Sequence, residues 1–312
     1  MDHDPGAFLG LDPEDARPGA PGAVLPVPYE ATVTYETGTA RGPEAILLAS
    51  QQVETFDEWL EDEARRHGVE TLPPVVFPGP PEELAPVLEE RTGSLLDAGR
   101  FPLLLGGEHS LSLGPIRAAA ARHPDLVVLH LDAHPDLRDE FEGTRYGHGC
   151  VMRRVLEGGV RLHSFGLRAI SPEERAFARR ARGLRWILAR ELLPLAPLER
   201  VARILEDLPE APLWLSWDVD GLDPSLVPCT GTPEPGGLDW FTVSELLRAL
   251  DLRGACLVGA ELLELSPRPG QHASDFAAAR LAHRLLVAGL RSRERRLAAA
   301  PAPAHGDPAG RG

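Results

Sequence analysis

The sequence predicts a single three-layer α/β domain, with a mainly parallel central sheet and helices on both of its faces. Three observations predict it. Short apolar runs alternate with longer amphipathic stretches along the chain. The runs are apolar on both faces, as strands covered from two sides must be. No Pro- or Gly-rich linker divides the interior. The 312 residues, 43% of them hydrophobic, are enough to bury one large core. No internal repeat marks a solenoid or propeller.

In chain order, strand-like runs span residues 23–28, 101–105, 126–131, 160–167, 213–217 and 255–263. Helical patterns lie over 81–97, 113–122, 171–181, 198–208, 242–250 and 274–290. Ser171 followed by Glu174 forms a capping-box pattern, and Thr242 with Glu245 repeats it. Residues 1–20 read as a flexible lead and 21–290 as the domain. From Arg291 the chain turns basic and then becomes Ala/Pro/Gly-rich, so 291–312 reads as a disordered tail.

Composition narrows the function classes. The formal net charge of −15 argues against nucleic acid or an anionic membrane as partner and is compatible with a cationic substrate. No run approaches the roughly 20 apolar residues of a membrane span. The acidic, Gly/Pro-rich N-terminus is unlike a signal peptide, so a cytoplasmic protein is expected. Cys150, Cys229 and Cys256 are too few and too scattered for a disulfide framework or a thiolate zinc site and read as free thiols.

In open α/β sheets, ligands bind outside the carboxyl ends of the strands. Three such ends carry polar clusters. FPLLLGGEHS stops an apolar run at Gly106-Gly107, a tight turn that delivers Glu108 and His109. LVVLHLDAHPDL runs into Asp132, His134 and Asp136, whose spacing of two puts them on one face of an extended segment. PLWLSWDVDGLDPS ends in Asp218 and Asp220, with the turn-forming Asp223-Pro224 behind them. A solvated acidic turn would account for any one of these alone. Together they supply four aspartates and two histidines, and carboxylates gathered this way resist desolvation unless cations compensate them. About four negative charges exceed what one divalent ion neutralises and match two. Oxygen ligands with some imidazole and no thiolate favour Mn²⁺, with Zn²⁺, Co²⁺ or Fe²⁺ as alternatives. The expected ligands are His109, Asp132, His134, Asp136, Asp218 and Asp220.

Gly-Gly-Glu-His-Ser at 106–110, Asp-Ala-His-Pro-Asp at 132–136 and Ser-Trp-Asp-Val-Asp-Gly-Leu-Asp-Pro at 216–224 resemble the three signature motifs of the arginase/agmatinase (ureohydrolase) family, in its order and at its separations. The similarity runs from about Pro26 to Leu290 and includes residues 29–44 and the loop 230–237. The resemblance implies an arginase-like fold, two Mn²⁺ ions per chain, and hydrolysis of a guanidinium group to urea and an amine. It implies that His109, Asp132, Asp136 and Asp218 hold one metal or bridge. His134 and Asp220 would complete the other, with Asp136 and Asp218 shared, which makes Asp136 essential for catalysis. His148, in RYGHGC, matches the family's mobile-loop histidine, a proton shuttle beside the substrate, and imidazole suits that task at neutral pH. Glu264, in ELLELSP, matches the glutamate that pairs with the guanidinium in a planar, bidentate contact. Glu261 departs from the pattern, where the family more often has Asp. By the same resemblance the chain is a homo-oligomer, a trimer or hexamer.

Other polar residues read as bystanders. His130 and His163 lie inside strand patterns, Glu108 supports its turn, and a Cys150–His148 pair is unnecessary beside the metal cluster. Residues 142–148 lack the Asn of the arginase loop and look like the loop of agmatinases. The expected substrate is therefore a small cationic guanidine. Agmatine would give putrescine and urea, and N1-aminopropylagmatine would give spermidine and urea. Arginase and guanidinobutyrase activities rank lower, since no anchor for a substrate carboxylate is identified. A different class, the single-zinc deacetylase-like amidohydrolases, would lack the six-ligand set.

Overall fold

The computed structural model describes residues 6–299. Eight strands form the central sheet: β1 (Gly22–Val27), β2 (Val69–Thr71), β3 (Phe101–Gly106), β4 (Val127–Leu131), β5 (Arg161–Leu167), β6 (Leu184–Leu188), β7 (Leu213–Asp218) and β8 (Leu257–Leu263). Their order across the sheet is β2-β1-β3-β8-β7-β4-β5-β6, and every neighbouring pair is parallel. The main helices are α1 (Gly42–Ser50), α2 (Pro81–Asp97), α3 (Leu113–Arg122), α4 (Val151–Glu157), α5 (Pro172–Ala178), α6 (Pro197–Leu205), α7 (Trp240–Leu252) and α8 (His272–Ala299).

Side chains alternate between two cores, as the pleat requires. Leu103, Leu105, Leu129 and Leu215 pack with Ile46 of α1, Ile204 of α6, Leu246 of α7 and Leu285 of α8. Leu104, Val128 and Trp214 pack on the opposite side with Leu88 of α2, Ile116 of α3 and Val155 of α4. This is the three-layer domain expected from strands apolar on both faces.

The register positions the site. Leu105 pairs with Leu262, Leu262 with Trp217, and Trp217 with Leu131. The carboxyl ends of β3, β8, β7 and β4 therefore stand in one row, with neighbouring strands about 4.8 Å apart. Whatever follows each strand lands in the same small volume.

Several expectations need correction. β2 and β6 escape the periodicity because they are the sheet's two edges, three and five residues long and bearing Glu70 and Arg185. The short helices α1 and α4 escape it too. α7 begins at Trp240, not Thr242: the Asp239 carboxylate accepts from the Thr242 amide at 2.7 Å, and Glu245 pairs with Arg248 instead of closing a box. The Ser171–Glu174 capping box is present as expected. The lead expected over 1–20 is folded where it is described. Phe8 and Leu9 join the core, and the Leu9 amide donates to the Ser50 hydroxyl at 2.8 Å. Residues 1–5 lie outside the described residues. The tail expected from 291 begins as helix, since α8 runs to Ala299. Arg291 grips Asp251 with two hydrogen bonds of 3.0 Å, and the buried Ser292 hydroxyl accepts from the Leu257 amide. These anchors outweigh the low apolar content of that turn. Residues 300–312 lie outside the described residues. Among the described residues no helix is long and apolar enough to cross a membrane.

Candidate metal centre

The turn after β3 is dictated by close approach. A Cβ on Gly107 would lie 1.9 Å from the Tyr29 carbonyl oxygen, and the next residue, Glu108, donates its amide to that same oxygen at 2.9 Å. After β4 the extended alternation stops at Leu131. The chain bends at Ala133 and His134, and Asp136 takes a left-handed conformation with φ 53°. Glu264, just past β8, is left-handed as well, with φ 65°. Such conformations cost a non-glycine residue about 1 kcal/mol or more, and here both turn a carboxylate into the row of strand ends.

Backbone amides fix how the aspartates face. The Oδ1 atoms of Asp132, Asp218 and Asp220 accept from the amides of His134 (2.6 Å), Asp220 (2.7 Å) and Ala133 (3.0 Å). The Oδ2 atoms then converge on the imidazoles. His109 Nδ1 lies 3.1 Å from Asp132 Oδ2, 3.3 Å from Asp136 Oδ2 and 3.5 Å from Asp218 Oδ2. It is buried, yet it has no hydrogen-bond partner. Its other nitrogen, Nε2, is tethered to the Ser216 hydroxyl at 3.0 Å. His134 Nδ1 lies 3.0 Å from Asp220 Oδ2 and 3.5 Å from Asp132 Oδ1. Two donor groups result, one around His109 and one around His134. Asp132 stands in both, whereas Asp136 approaches only His109. Asp132, and not Asp136, turns one oxygen to each imidazole, the position that the expected sharing gave to Asp136. A lone imidazole nitrogen aimed among three carboxylate oxygens is a donor set suited to a divalent cation.

The electrostatics carry the same message. Burial and then the Asp132 charge push Asp136 well above the usual carboxylate range; burial, Asp220 and Asp132 do the same to Asp218. Burial opposes a charge on Asp132 too, but the imidazoles of His109, His130 and His134 beside it hold it well below the usual range. Burial alone would depress His109 and His134, but the surrounding aspartates override it and hold both well above a normal histidine. The cluster thus retains protons that a metal ion would displace.

A cavity of about 170 Å³ opens over these groups and is lined by His109, His134, Asp136, Asp218 and Asp220, and also by His148 and Glu264. The structure brings every sequence-predicted site residue to this place except Asp132, which lies buried beneath the wall. Glu264 accepts from the His109 amide at 2.6 Å, and burial, then Glu108, push its carboxyl up to about 8. His148 packs edge-on against Phe141, its ring nitrogens 3.2 Å from Thr32 Oγ1 and 3.1 Å from Thr34 Oγ1. Burial depresses its pKa.

Other wall residues escaped the sequence reading. Glu174 lines the cavity while its carboxylate caps α5 and accepts from the Leu137 amide at 3.1 Å. Arg138 lines it as well, with its guanidinium over the Phe141 ring at 4.5 Å. Ser216 and His130 were findable, since each precedes a ligand by two residues on a strand and so shares its face. His130 links Asp132 Oδ2 (2.9 Å) to the Ser164 hydroxyl (3.0 Å). Neither His163 nor Cys150 lines the cavity. His163 is buried on β5 and pushed down to about 4 by burial. The Cys150 thiol is buried and pushed up to about 11 by burial and Asp136, the reverse of an activated nucleophile.

Comparison with known proteins agrees with this geometry. The model of the Arginase family matches residues 20–288. An N(1)-aminopropylagmatine ureohydrolase of Synechocystis sp. is 36% identical, over 90% of this chain and 93% of its own. An agmatinase of Bacillus anthracis is 33% identical, over 77% and 82%. The crystal structure of an agmatine ureohydrolase of Thermoplasma volcanium superposes with a TM-score of 0.78 at 26% identity, covering 91% of this chain and 94% of that one. With its motifs at the ends of β3, β4 and β7, the chain belongs to the arginase family and is a hydrolase.

Proposed function

We propose that the chain hydrolyses the guanidinium group of agmatine to putrescine and urea, using two divalent metal ions, Mn²⁺ in the first place. The observation that carries this reading is that both His/Asp groups, Glu264 and His148 meet at one cavity. His109, Asp132, Asp136 and Asp218 would hold one ion, and Asp132, His134, Asp218 and Asp220 the other. Bound there, divalent cations supply Lewis acidity and acidify a water nucleophile towards neutral pH.

The remaining tasks fall to the chain itself. Glu264 offers a buried carboxylate to a planar guanidinium, and the incoming cation favours its ionised form over the protonated one that burial imposes. His148 is the group in the wall able to carry a proton to the leaving amine. Glu174 is the cavity carboxylate outside the metal cluster and Glu264, and it would meet the primary ammonium at the far end of the substrate.

The names of the relatives support N1-aminopropylagmatine as substrate equally well. One observation favours a different reading. Arg138 lines the cavity with no carboxylate within ion-pair distance among the described residues, and it would suit the acid group of a guanidino acid such as 4-guanidinobutyrate. Urea release by the Mn²⁺-loaded protein from agmatine, N1-aminopropylagmatine, arginine and 4-guanidinobutyrate decides. We expect the highest kcat/KM with one of the first two; a preference for 4-guanidinobutyrate would assign Arg138 to the substrate and overturn the agmatine reading.

A further inference from the structure

We propose that Thr32, pinned by Glu108, fixes the tautomer of His148, so that Nε2 is the ring nitrogen that exchanges protons in the cavity. Thr32 and Glu108 are positioning residues in this scheme, which rests on the reading of His148 as the proton carrier.

Glu108 is fully buried, and its oxygens are saturated. Oε2 accepts from the amides of Ala31 (2.5 Å) and Thr32 (2.6 Å). Oε1 accepts from the hydroxyls of Thr32 (2.7 Å) and Ser110. The single hydroxyl proton of Thr32 is therefore committed to Glu108, and only lone pairs remain on Thr32 Oγ1. Two groups of His148 face that oxygen: the backbone amide, which donates to it at 3.1 Å, and ring Nδ1 at 3.2 Å. A hydroxyl oxygen whose proton is already used can only accept. Nδ1 must then carry the hydrogen, since the other tautomer would set one lone pair against another in a half-buried wall. In the neutral ring this leaves the lone pair on Nε2. Nε2 is the nitrogen on the cavity side: it lies 3.1 Å from Thr34 Oγ1, and Thr34 lines the cavity with His148 whereas Thr32 and Glu108 do not. The Thr34 hydroxyl, bonded to nothing else in the described residues, is free to donate to it.

Side chains that orient an imidazole in this way usually matter about 10- to 100-fold. Thr32→Val removes the acceptor with little change in shape, and Thr32→Ser keeps it. In metal-loaded enzyme acting on its best guanidine substrate, Thr32→Val is expected to lose about 10-fold or more in kcat, with KM and the metal content nearly unchanged. Thr32→Ser should recover most of the rate. Histidine ¹⁵N spectra of the zinc-loaded protein, with His148 assigned from the signals missing in His148→Ala, should show the Nδ1–H tautomer in wild type and Thr32→Ser and a mixture in Thr32→Val. An Nε2–H tautomer in the wild type overturns the proposal, as does an unchanged kcat in Thr32→Val. Should Thr32→Val fail to fold, the wild-type and Thr32→Ser spectra still decide. The spectra need no substrate, so a failure of the proposed reaction would appear separately, as the absence of urea release.

Discussion

Two regions bury charge in opposite ways. Where α8 crosses the loop after α1, Asp57 and Arg284 are both almost fully buried and every demand is met. Arg284 donates to Asp57 at 2.8 Å, to the Ser244 hydroxyl and to Glu58 at 3.0 Å, while Asp57 also accepts from the amides of Trp59 and Leu60 at 3.0 Å. At the strand ends, four aspartates share two histidines, His109 Nδ1 has no partner, and burial with neighbouring aspartate charges (Asp132 on Asp136, Asp220 and Asp132 on Asp218) pushes both carboxyls well above the usual range. A closed cluster serves the fold. An open one is arranged for something that is not part of the chain.

The comparison can be broken or sharpened by mutation. Asp136→Ala should reduce urea release by about 10³-fold or more and lower metal content; a variant that kept both ions and full activity would remove the site from the mechanism. His148→Ala should lower kcat by about 10²- to 10⁴-fold while two metal equivalents remain by elemental analysis. In the closed cluster, Arg284→Met should destabilise the protein by about 3–5 kcal/mol in denaturant titrations, because it strands a buried carboxylate, with kcat per folded molecule unchanged.

The open cluster should respond to pH with the opposite sign from an ordinary salt bridge. Glu264 titrates at about 8 in the folded protein, above its value of 4.5 when unfolded, so its charge destabilises the metal-free fold at high pH. Asp136 and Asp218 shift in the same direction, and the raised His109 and His134 add stability that is lost as pH rises. Metal-free protein should therefore gain thermal stability as pH falls from about 8 towards 6.5, above the range where the depressed His148 and His163 act with the opposite sign, while its affinity for Mn²⁺ weakens over the same range because binding must release protons. Calorimetry at several pH values reads both; a metal-free melting temperature that fell on mild acidification would contradict this account. The smallest effect belongs to the capping box of α5, where Ser171→Ala should cost about 1 kcal/mol of stability.

Much of the fold and most of the site were legible in the sequence, for identifiable reasons. The six central strands are buried on both faces, so their runs are mostly apolar, and a cluster of polar residues at such a run's end stands out. His109, Asp132 and Asp218 were visible on that ground. Glu264 and His148 were not, since a glutamate after a strand and a histidine in a loop are ordinary; only the family resemblance singled them out. Thr34 and Arg138 reach the cavity along loops and Glu174 from the first turn of a helix, where no strand periodicity reports direction. The place of Asp132 between the two imidazoles depends on which of its oxygens faces which, and the His134 amide holds its Oδ1. The edges β2 and β6 were missed because a strand with one neighbour need not be long or apolar.

The place of β8 in the sheet has a consequence for how the molecule comes into being. β8 is the last strand in the chain, yet it lies between β3 and β7, and its end holds Glu264 against the amide of His109, 155 residues earlier. Until those seven residues have been synthesised and inserted, β3 and β7 face each other across an open gap and the ligand-bearing loops are not in register. Closing so long a loop is slow, so a nascent or truncated chain lacks the His109 loop beside the aspartates that β4 and β7 carry. Tight binding of a metal pair then doubles as a report that the polypeptide has folded to its last strand.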